Sequence, residues 1–145
     1  MLLKKSSDYA LQLGFYLSQE SGDNYIHLKQ IAEKLDFPYY QLSKIANLMV
    51  QKGILKSRTG PNGGVCLKMN PKELSLWDII QPFEGDSLFE NCVLGMAKCD
   101  DKNPCPIHEF WKNARNVLQD LFKAKSLEEL SSTTLQELSA KNLNT

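Results

Sequence analysis

Residues 54–69 read ILKSRTGPNGGVCLKM. Two short runs flank a turn built from Gly60, Pro61, Asn62, Gly63 and Gly64, residue types that accept turn geometry. The stretch predicts a β-hairpin. Gly53, directly before it, predicts the end of a helix. Working upstream, Leu42, Ile45, Ala46 and Met49 repeat at i, i+3, i+4, i+7, and so do Leu28, Ile31, Ala32 and Leu35. Each set is one face of a short amphipathic helix. Asp36 and Pro38 between them suit a sharp turn and a helix start. Two short helices joined by a tight turn form a helix-turn-helix, and a basic hairpin directly after it forms a wing.

Charge supports a polyanion-facing surface. The chain of 145 residues has net charge +0, yet residues 1–69 carry 9 Lys/Arg against 5 Asp/Glu, while residues 70–145 carry 8 against 12. No acid lies between Asp36 and Glu73, where Lys44, Lys52, Lys56, Arg58, Lys68 and Lys72 all fall. Such a segment is what phosphate recognition needs. Tyr39, Tyr40, Gln41, Ser43 and Lys44, at the start of the second helix, are candidates for reading DNA. Ser57, Arg58 and Thr59 on the wing, with the Gly63–Gly64 backbone, are candidates for phosphate and minor groove.

The first helix is expected to start at Ser6 or Ser7, both good N-caps, with Asp8 in its first turn. SGDN (21–24) predicts a turn. Asp8 and Gln12 interrupt the early apolar stretch and no small-residue cleavage site follows, so it does not read as a signal peptide. No apolar run approaches the roughly 20 residues of a membrane span. The expectation is a cytoplasmic protein with no membrane partner.

Downstream, Ser75 or Pro71 should open a short helix through Leu76, Ile79 and Ile80 that ends before Pro82. A loop over 84–104 follows, and then a long helix from near Pro106. Along it Ile107, Trp111, Ala114, Leu118 and Leu121 step by 4, 3, 4, 3, widened by Phe110, Val117 and Phe122. That seven-residue repeat predicts helix-on-helix packing, here with a second copy of the chain. SLEEL (126–130) predicts a last short helix before a polar tail.

The loop holds three of the four cysteines: CVLGMAKCDDKNPC (92–105). In a reducing cytosol, clustered cysteines suit metal ligation or redox sensing better than structural disulfides. Neither gap is the Cys-x-x-Cys knuckle usual for zinc, although Cys105-x-x-His108 could complete a three-Cys, one-His zinc site. Iron–sulfur clusters accept wider spacing and often have proline beside a ligand, and Cys105 lies between Pro104 and Pro106. His108, one turn beyond Cys105, could reach the same centre. Cys66, on the wing, reads as a small buried apolar residue. Trp77 and Trp111 lie on apolar stripes and read as core or interface.

SSDYAL near the start, the helix-turn-helix, GILKSRTGPNGGVCL, the spaced cysteines and CPIHEFW together resemble the Rrf-two superfamily of bacterial winged-helix regulators, in particular its iron–sulfur type similar to NsrR and IscR. The resemblance spans residues 1 to about 130. It implies a homodimer that binds palindromic double-stranded promoter DNA and carries a 2Fe–2S or 4Fe–4S cluster near the dimer helices. It also implies that Asp8 matches an aspartate that reaches the cluster of the opposite subunit, and the SSDYAL start tips the fourth ligand towards Asp8 over His108. The six residues between Cys92 and Cys99 exceed the family's usual gap.

The expected fold is mainly α with a small β-hairpin: a winged helix-turn-helix domain over 1–83, a cysteine cluster loop over 84–105, a dimerisation helix region over 106–130 and a polar tail over 131–145. The expected function is a dimeric transcriptional regulator, a repressor rather than an enzyme. It would sense redox, nitric oxide or iron–sulfur status through a cluster on Cys92, Cys99 and Cys105, with Asp8 or His108 as the weaker fourth ligand. The alternative is a winged-helix regulator with structural zinc or no metal, responding to a small molecule or partner protein.

Overall fold

The computed structural model describes residues 3–20, 23–95 and 99–131. The 28–35 repeat folds as α2 (Leu28–Leu35), burying Ile31 and Ala32, and the 42–49 repeat lies on α3 (Tyr39–Gln51), burying Leu42, Ile45, Ala46 and Met49. Asp36 makes the turn between them at φ 55, and its amide closes α2 on the carbonyls of Ala32 and Glu33. Aspartate tolerates this left-handed conformation better than most residues. Pro38, extended at φ −61, leads into α3.

The hairpin forms as expected from β1 (Leu55–Arg58) and β2 (Gly64–Leu67), antiparallel, with Leu55 opposite Leu67 and Arg58 opposite Gly64. It is tied to the segment before α2: Ile26 and Val65 exchange backbone hydrogen bonds of 3.0 and 2.9 Å. The strand approaches so closely that a Cβ on Gly64 would lie 2.2 Å from the Ile26 carbonyl oxygen.

Helix α1 (Lys5–Glu20) begins before both serines expected to cap it. Ser7 is inside the first turn and fully buried, and its hydroxyl donates to Glu84 Oε1 at 2.6 Å. The Lys4 amide donates to the same oxygen at 2.7 Å. The acceptor at this helix start therefore comes from a residue 80 positions away, which local capping patterns cannot reveal.

Helix α4 (Leu76–Glu84) opens at Ser75 with a capping box to Asp78 and runs through Pro82, where the sequence predicts a stop. A proline inside a helix costs about 3 kcal/mol. Burial of Ile79 and Ile80 and the Glu84 hydrogen bonds beyond the proline hold that last turn. The cysteine loop contains a further short helix, α5 (Ser87–Glu90), not expected from the sequence. It exists because Phe89 is buried, its ring centroid 4.8 Å from Trp77 and 6.1 Å from Phe122.

Helix α6 (His108–Ala124) starts two residues later than expected, and α7 (Leu127–Leu130) follows Ser126 with its own capping box. The tail beyond Ser131, like Ser21 and Gly22 of the predicted turn, lies outside the described residues. The predicted stripe on α6 divides in two. Phe122 is buried and Trp111 and Leu118 half-buried, while Ile107, Phe110, Val117 and Leu121 are exposed, Phe110 by 79%. Helix α6 packs on α4 and α5, and α4 packs on α1 and α3.

Glu84→Ala should lower the unfolding free energy in a urea titration by about 1–3 kcal/mol, because the Ser7 hydroxyl would be left buried without its acceptor. Ser7→Ala added to Glu84→Ala should cost less than Ser7→Ala alone. Strict additivity would show that the hydrogen bond between them contributes nothing.

Candidate nucleic-acid interface and cysteine site

The first turn of α3 presents Tyr39, Tyr40, Gln41 and Lys44 to solvent, with Ser43 half-buried. The Lys44 ammonium sits 4.4 Å over the Tyr40 ring and the Lys29 ammonium 5.9 Å over Tyr39. Both cations are thereby held beside the helix start, and among the described residues neither forms a salt bridge. On the wing, Ser57, Arg58 and Thr59 are exposed. The Arg58 guanidinium lies 4.5 Å over the Tyr25 ring and donates to the Asn62 carbonyl at 2.8 Å. His27 Nε2 lies 2.9 Å from the Pro61 carbonyl, joining the wing tip to the start of α2.

Tyr25 and Lys29 were not among the residues singled out from the sequence. Tyr25 supports Arg58 only because the Ile26–Val65 pairing brings the two segments together. Gly63 and Gly64 also shape the wing itself. Gly63 is buried, its amide donates to the Gly60 carbonyl at 2.9 Å, and a Cβ there would meet the Arg58 carbonyl. Gly64 is needed for its approach to Ile26. These glycines close the turn and seat the wing.

Three elements bring the cysteine-loop donors together. Cys92 follows α5, Cys99 is fixed by its amide donating to the Glu90 carbonyl at 3.1 Å, and Cys105 lies three residues before the first residue of α6, accepting from the His108 amide at 3.0 Å. Cys92 is buried, and Cys99 and Cys105 are half-buried. The sulfurs of Cys92 and Cys105 lie 3.8 Å apart, and Cys99 Sγ lies 3.3 Å from His108 Nδ1. His108, the first residue of α6, is only 4% exposed. Its other nitrogen, Nε2, is 2.7 Å from Asp101 Oδ1, which Lys112 reaches from the far side at 2.8 Å. Lys112 first, and His108 second, hold the Asp101 carboxyl down at about 2 by hydrogen bonding. Trp111 Nε1 donates to the Asn91 carbonyl at 3.1 Å and pins the front of the loop to α6.

The donors thus meet as two pairs, Cys92 with Cys105 and Cys99 with His108. Among the described residues, the group of three whose ligand atoms converge within 4.8 Å is Asp101, His108 and Glu109. Asp101 is absent from the sequence-derived candidates, and its position two residues after Cys99 was the signal that could have found it. Asp8 is not brought to this site within the chain; its carboxylate accepts from Gln12 Nε2 at 2.9 Å on its own helix. Cys66 is fully buried on β2, as a small apolar residue would be.

No helix among the described residues is long and apolar enough to cross a membrane. A family model described as Rrf2, iron-dependent transcriptional regulator, matches residues 3–139. A helix-turn-helix-type transcriptional regulator of Aquifex aeolicus is 30% identical over 132 residues, which cover 90% of this chain and 91% of that protein. The helix-turn-helix-type transcriptional regulator NsrR of Bacillus subtilis is 27% identical over 140 residues, covering 95% and 90%. The solved structure of CymR, the global cysteine regulator of B. subtilis, shares the fold with a TM-score of 0.76 at 24% identity, over 91% of this chain and 97% of that one. The winged helix-turn-helix, the paired basic and aromatic side chains on α3 and β1, and these matches place the chain in the Rrf2 family of winged-helix transcriptional regulators, which are DNA-binding proteins and not enzymes.

Proposed function

We propose that this chain is a dimeric cytoplasmic repressor that senses redox, nitric oxide or iron–sulfur status through an iron–sulfur cluster held by Cys92, Cys99 and Cys105, with His108 as fourth ligand. The observation that carries this reading is the 3.8 Å separation of the Cys92 and Cys105 sulfurs. Two thiolates bound at about 2.3 Å to one tetrahedral metal lie about 3.8 Å apart. The second pair, Cys99 with His108, makes the layout one of two donors per metal, which suits the two irons of a 2Fe–2S cluster better than one ion. Bound there, a cluster would supply a centre open to nitric oxide, oxygen or chelators at its one non-thiolate corner.

The chain's own residues supply the coupling. Trp111 to Asn91 and Lys112 to Asp101 hold the loop on α6, α6 packs on α4, and α4 packs on α1 and α3. A change in how the loop is held would therefore act on the setting of α3 through contiguous packing. The exposed row Ile107, Phe110, Val117 and Leu121 repeats at 3, 7 and 4 and favours pairing with a second copy. The name NsrR borne by one relative and the iron-dependent description of the family support the metal reading. The second reading is structural zinc, favoured by the 3.8 Å Cys92–Cys105 separation, which two thiolates on a tetrahedral zinc would also give.

Protein isolated without oxygen should be brown and contain iron and sulfide. Cys92→Ala, Cys99→Ala or Cys105→Ala should each bleach it, whereas Cys66→Ala should stay brown. Colourless protein with one zinc per chain would replace the first reading with the second. His108→Ala should alter the visible spectrum. If Asp8→Ala does so instead, the fourth ligand is Asp8 of the partner subunit.

On the DNA side, Lys44→Ala and Arg58→Ala should each weaken operator binding and reduce its salt dependence by about one unit of log–log slope for each phosphate interaction removed. Fluorescence anisotropy across a salt series measures both. Wild-type affinity and slope in both variants would remove these residues from the interface.

A further inference from the structure

We infer that Asp101, braced by Lys112, is a positioning residue that sets the tautomer of His108 and turns its Nδ1 towards the metal-binding sulfurs. The inference deepens the cysteine site proposed above and rests on His108 being a ligand there. A carboxylate accepts hydrogen bonds and donates none, so the 2.7 Å approach of Asp101 Oδ1 to His108 Nε2 puts the ring proton on Nε2. In the neutral ring, Nδ1 then carries the lone pair, and it already faces Cys99 Sγ at 3.3 Å. The opposite tautomer would set the Nε2 lone pair against the Asp101 oxygens and point a proton at the sulfur.

Asp101 is itself 68% exposed in its side chain and on a loop, so alone it would hold the ring poorly. Lys112 corrects this. It lies on α6 four residues after His108, on the same face of the helix, and its ammonium binds the same carboxylate oxygen at 2.8 Å. The three side chains form a closed bracket with two members on one rigid helix. The ring of His108, 4% exposed, has little room to turn within it. An outer carboxylate on the far nitrogen of a ligating histidine fixes ring orientation and raises its basicity, and its loss typically costs 10–100-fold in metal affinity.

The full-length chain, metal-free and with reduced thiols, allows a direct test by nitrogen-15 NMR of the histidine rings. Wild type should show His108 protonated at Nε2 and bare at Nδ1. Asp101→Ala should shift the ring towards a mixture, Asp101→Glu should restore the wild-type pattern in part, and Lys112→Ala should give a smaller shift in the same direction. In loaded protein, Asp101→Ala should speed metal loss to a chelator about 10-fold or more, with the wild-type protein showing nitrogen hyperfine coupling from His108 in the reduced state. A wild-type ring protonated at Nδ1, or a tautomer unchanged by Asp101→Ala, would overturn the inference. The expected tautomers in a protein that never holds a metal would uphold the bracket while ending the cluster reading.

Discussion

The close packing of α1 against α4 governs the rest of the molecule. Leu13 and Leu17 of α1 and Ile79 and Ile80 of α4 are fully buried, and burial of each such side chain contributes about 1.5–3 kcal/mol. Gly14 sits at the crossing, where a Cβ would lie 3.2 Å from Ile79 Cδ1 and within 4 Å of Leu127. A Cβ there would require the end of the Ile79 side chain to give by a few tenths of an ångström. The same α1 also contacts α2, α3 and β2, so one helix carries the DNA-binding elements on one side and α4 with α7 on another.

That arrangement explains why polar groups are accepted inside it. Glu84 would be costly to bury alone, but it receives the Ser7 hydroxyl and the Lys4 amide, both at the start of α1. It satisfies donors that a helix start leaves open, and it registers α4 along α1. Further along the chain, the Leu74–Leu127 and Leu76–Lys125 backbone hydrogen bonds tie the end of α6 to the beginning of α4. Helix α6 is thus held by its C-terminal end and by the Phe89–Phe122 ring pair, while much of its apolar surface stays exposed.

At the other end of α6, the chemistry is concentrated in its first turn. His108 is buried between a sulfur and a carboxylate, and Lys112 completes the ring of contacts one turn on. Placing both on a helix gives His108 and Lys112 a fixed spacing against Cys99 and Asp101. The helix-turn-helix and wing use a parallel device: Tyr40 and Tyr25 hold Lys44 and Arg58 over their rings, limiting how freely those cations move.

Much of this was legible locally. The repeats at 28–35 and 42–49, the Asp36–Pro38 turn, the Gly-rich hairpin and the Ser126 start of α7 each follow from backbone preference and apolar period, which act within a few residues. The three cysteines and His108 could be picked out by spacing and residue type. What local pattern could not supply was contact between distant segments. Ser7 reads as a cap until Glu84 occupies that role, Pro82 reads as a stop until burial holds the turn beyond it, and the approach of Gly64 to Ile26 has no signal in the sequence around it. The apolar stripe of α6 could be seen in the sequence, but its division between core and surface depends on where α4 and α5 pack. The sequence by itself determined the elements and the donor types. Tertiary structure alone decided that the donors meet as two pairs with Asp101 behind His108, because hydrogen bonds and sulfur contacts depend on ångström-scale approach between segments whose relative placement no local preference encodes.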